Sequence, residues 1–177
     1  MDEKMSVNDT LSCLNSTITL LEYTIEQSNN KNFRDSIVDA RNKLEDMFLL
    51  DYLILNEDRH LNNFGIIRDV NSLEWMNVAP IFDNGESLKI TYYSQDELCV
   101  TGEGRFFYQI KPFDEIIKVV RDIKRLDLSK LEGIVEWYDN LLHMYQYTSG
   151  ISDERINKLC ILLNRQIKNL KKLQGLS

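Results

Sequence analysis

The sequence predicts a mainly α-helical domain with one small β-hairpin, an α+β arrangement, on three observations. Apolar residues recur at helical spacing in several separate segments. Only one pair of neighbouring short runs is rich in β-formers. Two prolines and seven glycines among 177 residues are too few for the many turns of a sandwich or barrel. With 43% apolar residues the chain is long enough to bury a sizeable core, and one domain over residues 1–177 is expected.

The elements follow in order. Leu11, Leu14, Ile18, Leu21 and Ile25 mark an amphipathic helix over residues 8–29, with Asn8 or Asp9 available as its N-cap. A second helix is expected from Phe33 through Ile37, Leu44 and Phe48, and its last turns, Met47 to Leu55, are apolar on nearly every face. Asp51 interrupts that run. A buried carboxylate needs donors, and the nearest are the Arg and amide groups of the loop ahead, so Asp51 reads as that loop's structural anchor.

Phe64–Ile67 and Leu73–Val78 read as a hairpin closed by Pro80, which has no ladder donor. From Glu86 to Pro112 no period holds and Gly102, Gly104 and Pro112 punctuate the chain, so a long, partly ordered loop is expected. Gly102-Glu103-Gly104 opens no helix and reads as a loop tip. Helical spacing returns at Phe113, Ile116, Ile117, Val120 and Ile123. Ser129 and Glu132 stand as a capping box for a helix to about Tyr147 that buries Leu131, Ile134, Val135, Tyr138, Leu141 and Leu142. Ser152 caps a final helix that Gly175 closes.

Composition excludes several function classes. The formal net charge of -7 repels phosphate backbones, so no direct nucleic-acid partner is expected. Cys13, Cys99 and Cys160 form no CxxC pair, which argues against a disulfide framework or a zinc knuckle. The polar, acidic N-terminus is unlike a signal peptide, and no apolar run reaches the ~20 residues of a membrane span. A cytoplasmic location away from membranes is expected.

One stretch carries chemistry-bearing groups in a suggestive order. Asp51 to Gly85 reads DYLILNEDRHLNNFGIIRDVNSLEWMNVAPIFDNG, an apolar run, a polar cluster, the hairpin and a second polar tip. Phosphoryl transfer from a nucleotide requires a carboxylate to take the proton of the attacking hydroxyl, and oxygen ligands to hold Mg²⁺ against the phosphates. Asp58 fits the first role. The amide oxygen of Asn63 and the carboxylate of Asp83 fit the second, since Mg²⁺ favours hard oxygen donors and takes few from protein. Gly85 permits the positive φ of a tight turn behind such a carboxylate. Taken by itself NEDRHLNN is more often a solvated turn, and it is the ordered set that carries weight.

The same segment resembles the C-terminal lobe of HipA-like kinases, distant members of the protein kinase and phosphatidylinositol kinase superfamily. NEDRHLNN is similar to their catalytic loop, IFDNG to the segment that holds the metal, and the likeness runs from Met47 to Leu88, including FGIIRD and the Ala-Pro before Ile81. The resemblance implies a kinase-like helical C-lobe that binds ATP and Mg²⁺ and phosphorylates Ser/Thr of a protein substrate. It implies Asp58 as catalytic base, Arg59 and His60 as structural or phosphate-side residues of the catalytic loop, and Asn63 and Asp83 as ligands of the metal and nucleotide.

One departure accompanies it. Before Asp58 the chain has no glycine and no strand-borne lysine, so the N-terminal lobe that grips ATP in this superfamily is expected to be absent from this chain. A separate N-lobe or an antitoxin-like chain then becomes a candidate partner. The alternative function is a non-catalytic kinase-lobe interaction module, one component of a toxin–antitoxin pair. A third reading, a metal-dependent phosphoesterase using Asp58, His60 and Asp83, would put His60 on the metal.

Overall fold

The computed structural model describes residues 37–89, 102–106 and 109–176, with isolated positions 12, 16, 19 and 23. Those four are helical, while the rest of the expected helix over 8–29 and the start of the second helix at Phe33 lie outside the described residues. The fold is mainly helical with small sheets. No helix among the described residues is long and apolar enough to cross a membrane.

Helix α1 spans Ile37–Ile54 and is the spine of the core. Leu44, Met47, Phe48, Leu49, Tyr52, Leu53 and Leu55 are all buried, as the apolar last turns required. At its end Leu55 takes a left-handed φ of 50° and the Asn56 amide donates to the Asp51 carbonyl at 3.0 Å, turning the chain into the polar cluster.

That cluster is more regular than a loop. Asp58–Arg59 forms strand β1 and Leu61–Asn63 a 3-10 turn. The expected hairpin follows as β2, Ile66–Arg68, antiparallel to β3, Trp75–Val78. Its turn is held by Asp69, whose carboxylate accepts from the amides of Asn71 and Ser72; these bonds hold that carboxyl below the usual range.

The expected loop over Glu86–Pro112 needs correction where it is described, residues 90–101, 107 and 108 lying outside the described residues. Its end is a second hairpin, β4 at Glu103–Phe106 and β5 at Gln109–Pro112, and β4 also pairs in parallel with β1, Asp58 opposite Arg105 and Arg59 opposite Phe106. The glycines read there as loop punctuation mark close approach instead. A Cβ on Gly104 would stand 2.8 Å from the Phe113 ring and 3.3 Å from the Asn56 carbonyl. Phe106 is fully buried and packs its ring 5.1 Å from that of Phe48.

The helix expected from Phe113 to Ile123 is also shorter. Helix α2 covers Phe113–Ile116, continues as a 3-10 turn over Ile117–Val119, and yields to extended backbone at Val120. The capping box fails for a local reason. Asp127 takes both the amide and the hydroxyl of Ser129 and caps a 3-10 turn at Leu128–Leu131. Helix α3, Ile134–Ser149, opens only after Gly133 turns the chain at φ 74°, and its apolar residues stay half-exposed or exposed.

The last helix follows its signals closely. In α4, Asp153–Leu173, Ser152 Oγ accepts from the Arg155 amide at 3.3 Å, and Gly175 at φ 74° ends the helix. Ile156, Leu159, Leu162, Leu163, Ile167 and Leu170 are buried as α4 packs on α1 and α3. Cys160, half-buried on the same helix, is a free thiol.

Candidate active site

The site grows from the buried end of α1. Asp51 is 2% exposed, and its carboxylate accepts from Asn56 Nδ2 at 2.9 Å and from Arg59 Nε and Nη2 at 2.9 and 2.8 Å. Burial pushes the Asp51 carboxyl up, and the bonds from Arg59 and Asn56 pull against it. These are the donors the sequence placed nearest.

Among the described residues Arg59 is the largest fully buried side chain, and it joins separate stretches of chain. Beyond Asp51, Nη1 donates to the carbonyls of Asn63 at 2.5 Å and Phe82 at 2.8 Å, and Nη2 to Asn84 Oδ1 at 2.6 Å. Since two carbonyls share one nitrogen, the backbone at Asn63 lies within roughly 5 Å of the backbone at Phe82. The loop after β1 and the tip before Gly85 are therefore seated on one guanidinium.

Around Asp58 the groups face solvent. Its amide donates to Asn56 Oδ1 at 3.2 Å, and its carbonyl accepts from Asn63 Nδ2 at 2.8 Å. Asn63 is buried, and committing its NH₂ to Asp58 leaves Oδ1 as the remaining polar atom of that amide. The Asp58 carboxylate, 40% exposed, has His60 Nε2 at 3.6 Å from one oxygen and Arg105 Nε at 3.5 Å from the other. His60 Nδ1 accepts from the Asn62 amide, so the neutral ring carries its proton on Nε2, the nitrogen nearest Asp58.

Asp83 is exposed and takes a left-handed φ of 55°, which corrects the expectation for Gly85. The positive φ falls on the carboxylate-bearing residue itself, a conformation Asp tolerates better than most side chains. Beyond it the chain returns to the site. Glu57 N donates to the Glu86 carbonyl at 3.0 Å and Leu88 N to the Ile54 carbonyl at 2.6 Å, while the Glu57 carbonyl accepts from Arg105 N at 2.9 Å.

Asp58, Arg59, His60 and Asn63 thus form one connected group, with the Asp83 tip tied to it through Phe82 and Asn84. Sequence reasoning missed Arg105 and Asn84. Asn84 follows directly from the Asp-Asn-Gly tip, but Arg105 became visible only with the pairing of β4. Among the described residues no group of three or more His, Cys, Asp or Glu side chains gathers as a metal site. Asn63 Oδ1 and the Asp83 carboxylate are hard-oxygen donors, of the kind Mg²⁺ takes rather than a soft metal. Comparison of the chain with protein families, curated proteins and solved structures returns no match.

Proposed function

We propose that the chain is the catalytic lobe of an ATP- and Mg²⁺-dependent kinase, similar to the HipA-like kinases, that phosphorylates a hydroxyl, most simply Ser or Thr of a protein. The observation that carries this reading is the buried Arg59, which seats the loop bearing Asp58 and Asn63 and the tip bearing Asp83 on one side chain. A base and a metal ligand on separate loops need such a common support.

In this reading Asp58, half-exposed, accepts the proton of the acceptor hydroxyl. Asn63 Oδ1 and the Asp83 carboxylate would hold Mg²⁺. Bound Mg²⁺·ATP supplies the phosphoryl group and offsets its charge. Arg59 fixes the spacing of the two loops, and His60 holds a proton on Nε2 beside Asp58.

A second reading, a non-catalytic lobe that binds a partner as in a toxin–antitoxin pair, is favoured by another feature. Leu61, Ile67, Met76, Ile81 and Phe82, on and beside the polar loops, are all exposed. Transfer of labelled phosphate from ATP, with and without a β-rich ATP-gripping lobe added, separates the two. The kinase reading expects transfer that is lost in Asp58→Asn and in Asp83→Asn. Transfer surviving both substitutions would refute it, and partner capture without transfer would favour the second.

A further inference from the structure

We infer that Arg105, on β4, is a phosphoryl-binding residue of this site. The inference rests on the kinase reading and adds to it a cation from outside the Asp51 to Gly85 segment.

Backbone geometry fixes where Arg105 stands. β4 pairs in parallel with β1 so that Arg105 lies opposite Asp58, and the Arg105 amide donates to the Glu57 carbonyl at 2.9 Å. Its neighbours Gly104 and Phe106 are buried, so strand alternation turns Arg105 outward, onto the open side of the Asp58 carboxylate. Ile110, its cross-strand partner on β5, is 67% exposed, which leaves this face of the hairpin open beside the base.

The two arginines of the site differ in how they meet a carboxylate. Arg59 grips Asp51 with Nε and Nη2 at 2.9 and 2.8 Å, the geometry of an anchor. Arg105 comes up to Asp58 through Nε, at 3.5 Å and outside good hydrogen-bond range, and its side chain is 48% exposed. Among the described residues its terminal nitrogens make no hydrogen bond, so the fork that binds phosphate oxygens in pairs is uncommitted.

A hydroxyl that donates to Asp58 and turns a lone pair toward phosphorus places that phosphorus about 5 Å from the carboxylate oxygen, within reach of an arginine already beside it. In the step, the acceptor oxygen forms its bond to phosphorus as the bond from phosphorus to the bridging oxygen breaks. The hydroxyl proton passes to Asp58, and nucleoside diphosphate leaves. Arg105 takes the equatorial oxygens of the group in flight, where charge is spread during transfer.

Inorganic phosphate with Mg²⁺ is the probe, titrated into the intact chain while arginine Nε–H signals are followed by NMR. The Arg105 signal, identified by its loss in Arg105→Lys, is expected to move saturably; an unmoved signal overturns the inference whether or not the chain is a kinase. In the transfer assay Arg105→Gln is expected to lower kcat by roughly 10²-fold with acceptor KM within about twofold, and Arg105→Lys to restore part of the loss. Wild-type kcat in Arg105→Gln would also overturn it. Loss of the kinase reading shows separately, as transfer that persists in Asp58→Asn.

Discussion

Arg59 meets Asp51 through two parallel bonds at 2.9 and 2.8 Å, with both side chains almost wholly removed from solvent. Removing one partner strands the other as a buried charge. Asp51→Ala or Arg59→Ala is expected to cost about 3–5 kcal/mol of stability, read by urea unfolding. The double variant Asp51→Leu/Arg59→Met should cost less than the two single losses combined. Simple additivity would show that the pair does not act as a unit.

Gly104 tests whether β4 is held against the core by close approach. Gly104→Ala places a methyl carbon 2.8 Å from a rigid, buried ring, and Phe113 has little room to yield. A loss of about 1–3 kcal/mol is expected in thermal or urea unfolding. A neutral substitution would mean that the strand stands farther from Phe113.

How much was legible in the sequence follows from such contacts. The end of α1, the first hairpin, the Ser152 cap and the Gly175 stop depend on neighbours a few residues away, and local spacing disclosed them. The donors to Asp51 were legible for the same reason. Strand β4 was not, because its glycine serves a ring that lies in α2 and its pairing partner lies in β1. Ser129 shows the reverse failure: a local signal was correctly seen, but a stronger local acceptor, Asp127, had already claimed it. Within the candidate site, the loop of Asp58 and Asn63 is local in sequence, whereas its link to the Asp83 tip runs through Arg59 and Arg105 owes its place to a pairing across more than forty positions of chain.

Asp83 separates stability from function. Its φ of 55° suits glycine, so Asp83→Gly is expected to leave stability unchanged or raise it by up to ~1 kcal/mol, while Asp83→Val lowers it by ~1–2 kcal/mol. Both should abolish Mg²⁺-dependent nucleotide binding, measured by calorimetry. Retained binding in Asp83→Gly would remove Asp83 from the metal site.

Alkaline pH should loosen the fold through protons that it retains, those of Tyr52 and Cys160 most strongly and that of Tyr138 in the same direction. Burial, with Asp114 beside it, pushes the Tyr52 hydroxyl from 10.0 up to about 12, and burial with Asp139 pushes the Cys160 thiol from 9.0 up to about 11. The unfolded chain gives up these protons first, so it binds fewer of them in this range and stability falls as pH rises. The contributions are complete below about pH 9 and are lost from pH 9 to 11 for Cys160 and from 10 to 12 for Tyr52. The urea midpoint is expected to drop across that window, and Tyr52→Phe to flatten its upper part. A midpoint that stays level from pH 8 to 12 would contradict both shifts.

If Asn63 and Asp83 share one divalent ion beside Asp58, an anomalous difference map from crystals of the chain grown with Mn²⁺ and a nonhydrolysable ATP analogue locates it. The expected result is a manganese peak about 2.2 Å from both Asn63 Oδ1 and an Asp83 carboxylate oxygen. A nucleotide bound with its manganese on other side chains, or Asn63 and Asp83 directed to different faces of the molecule, would contradict it.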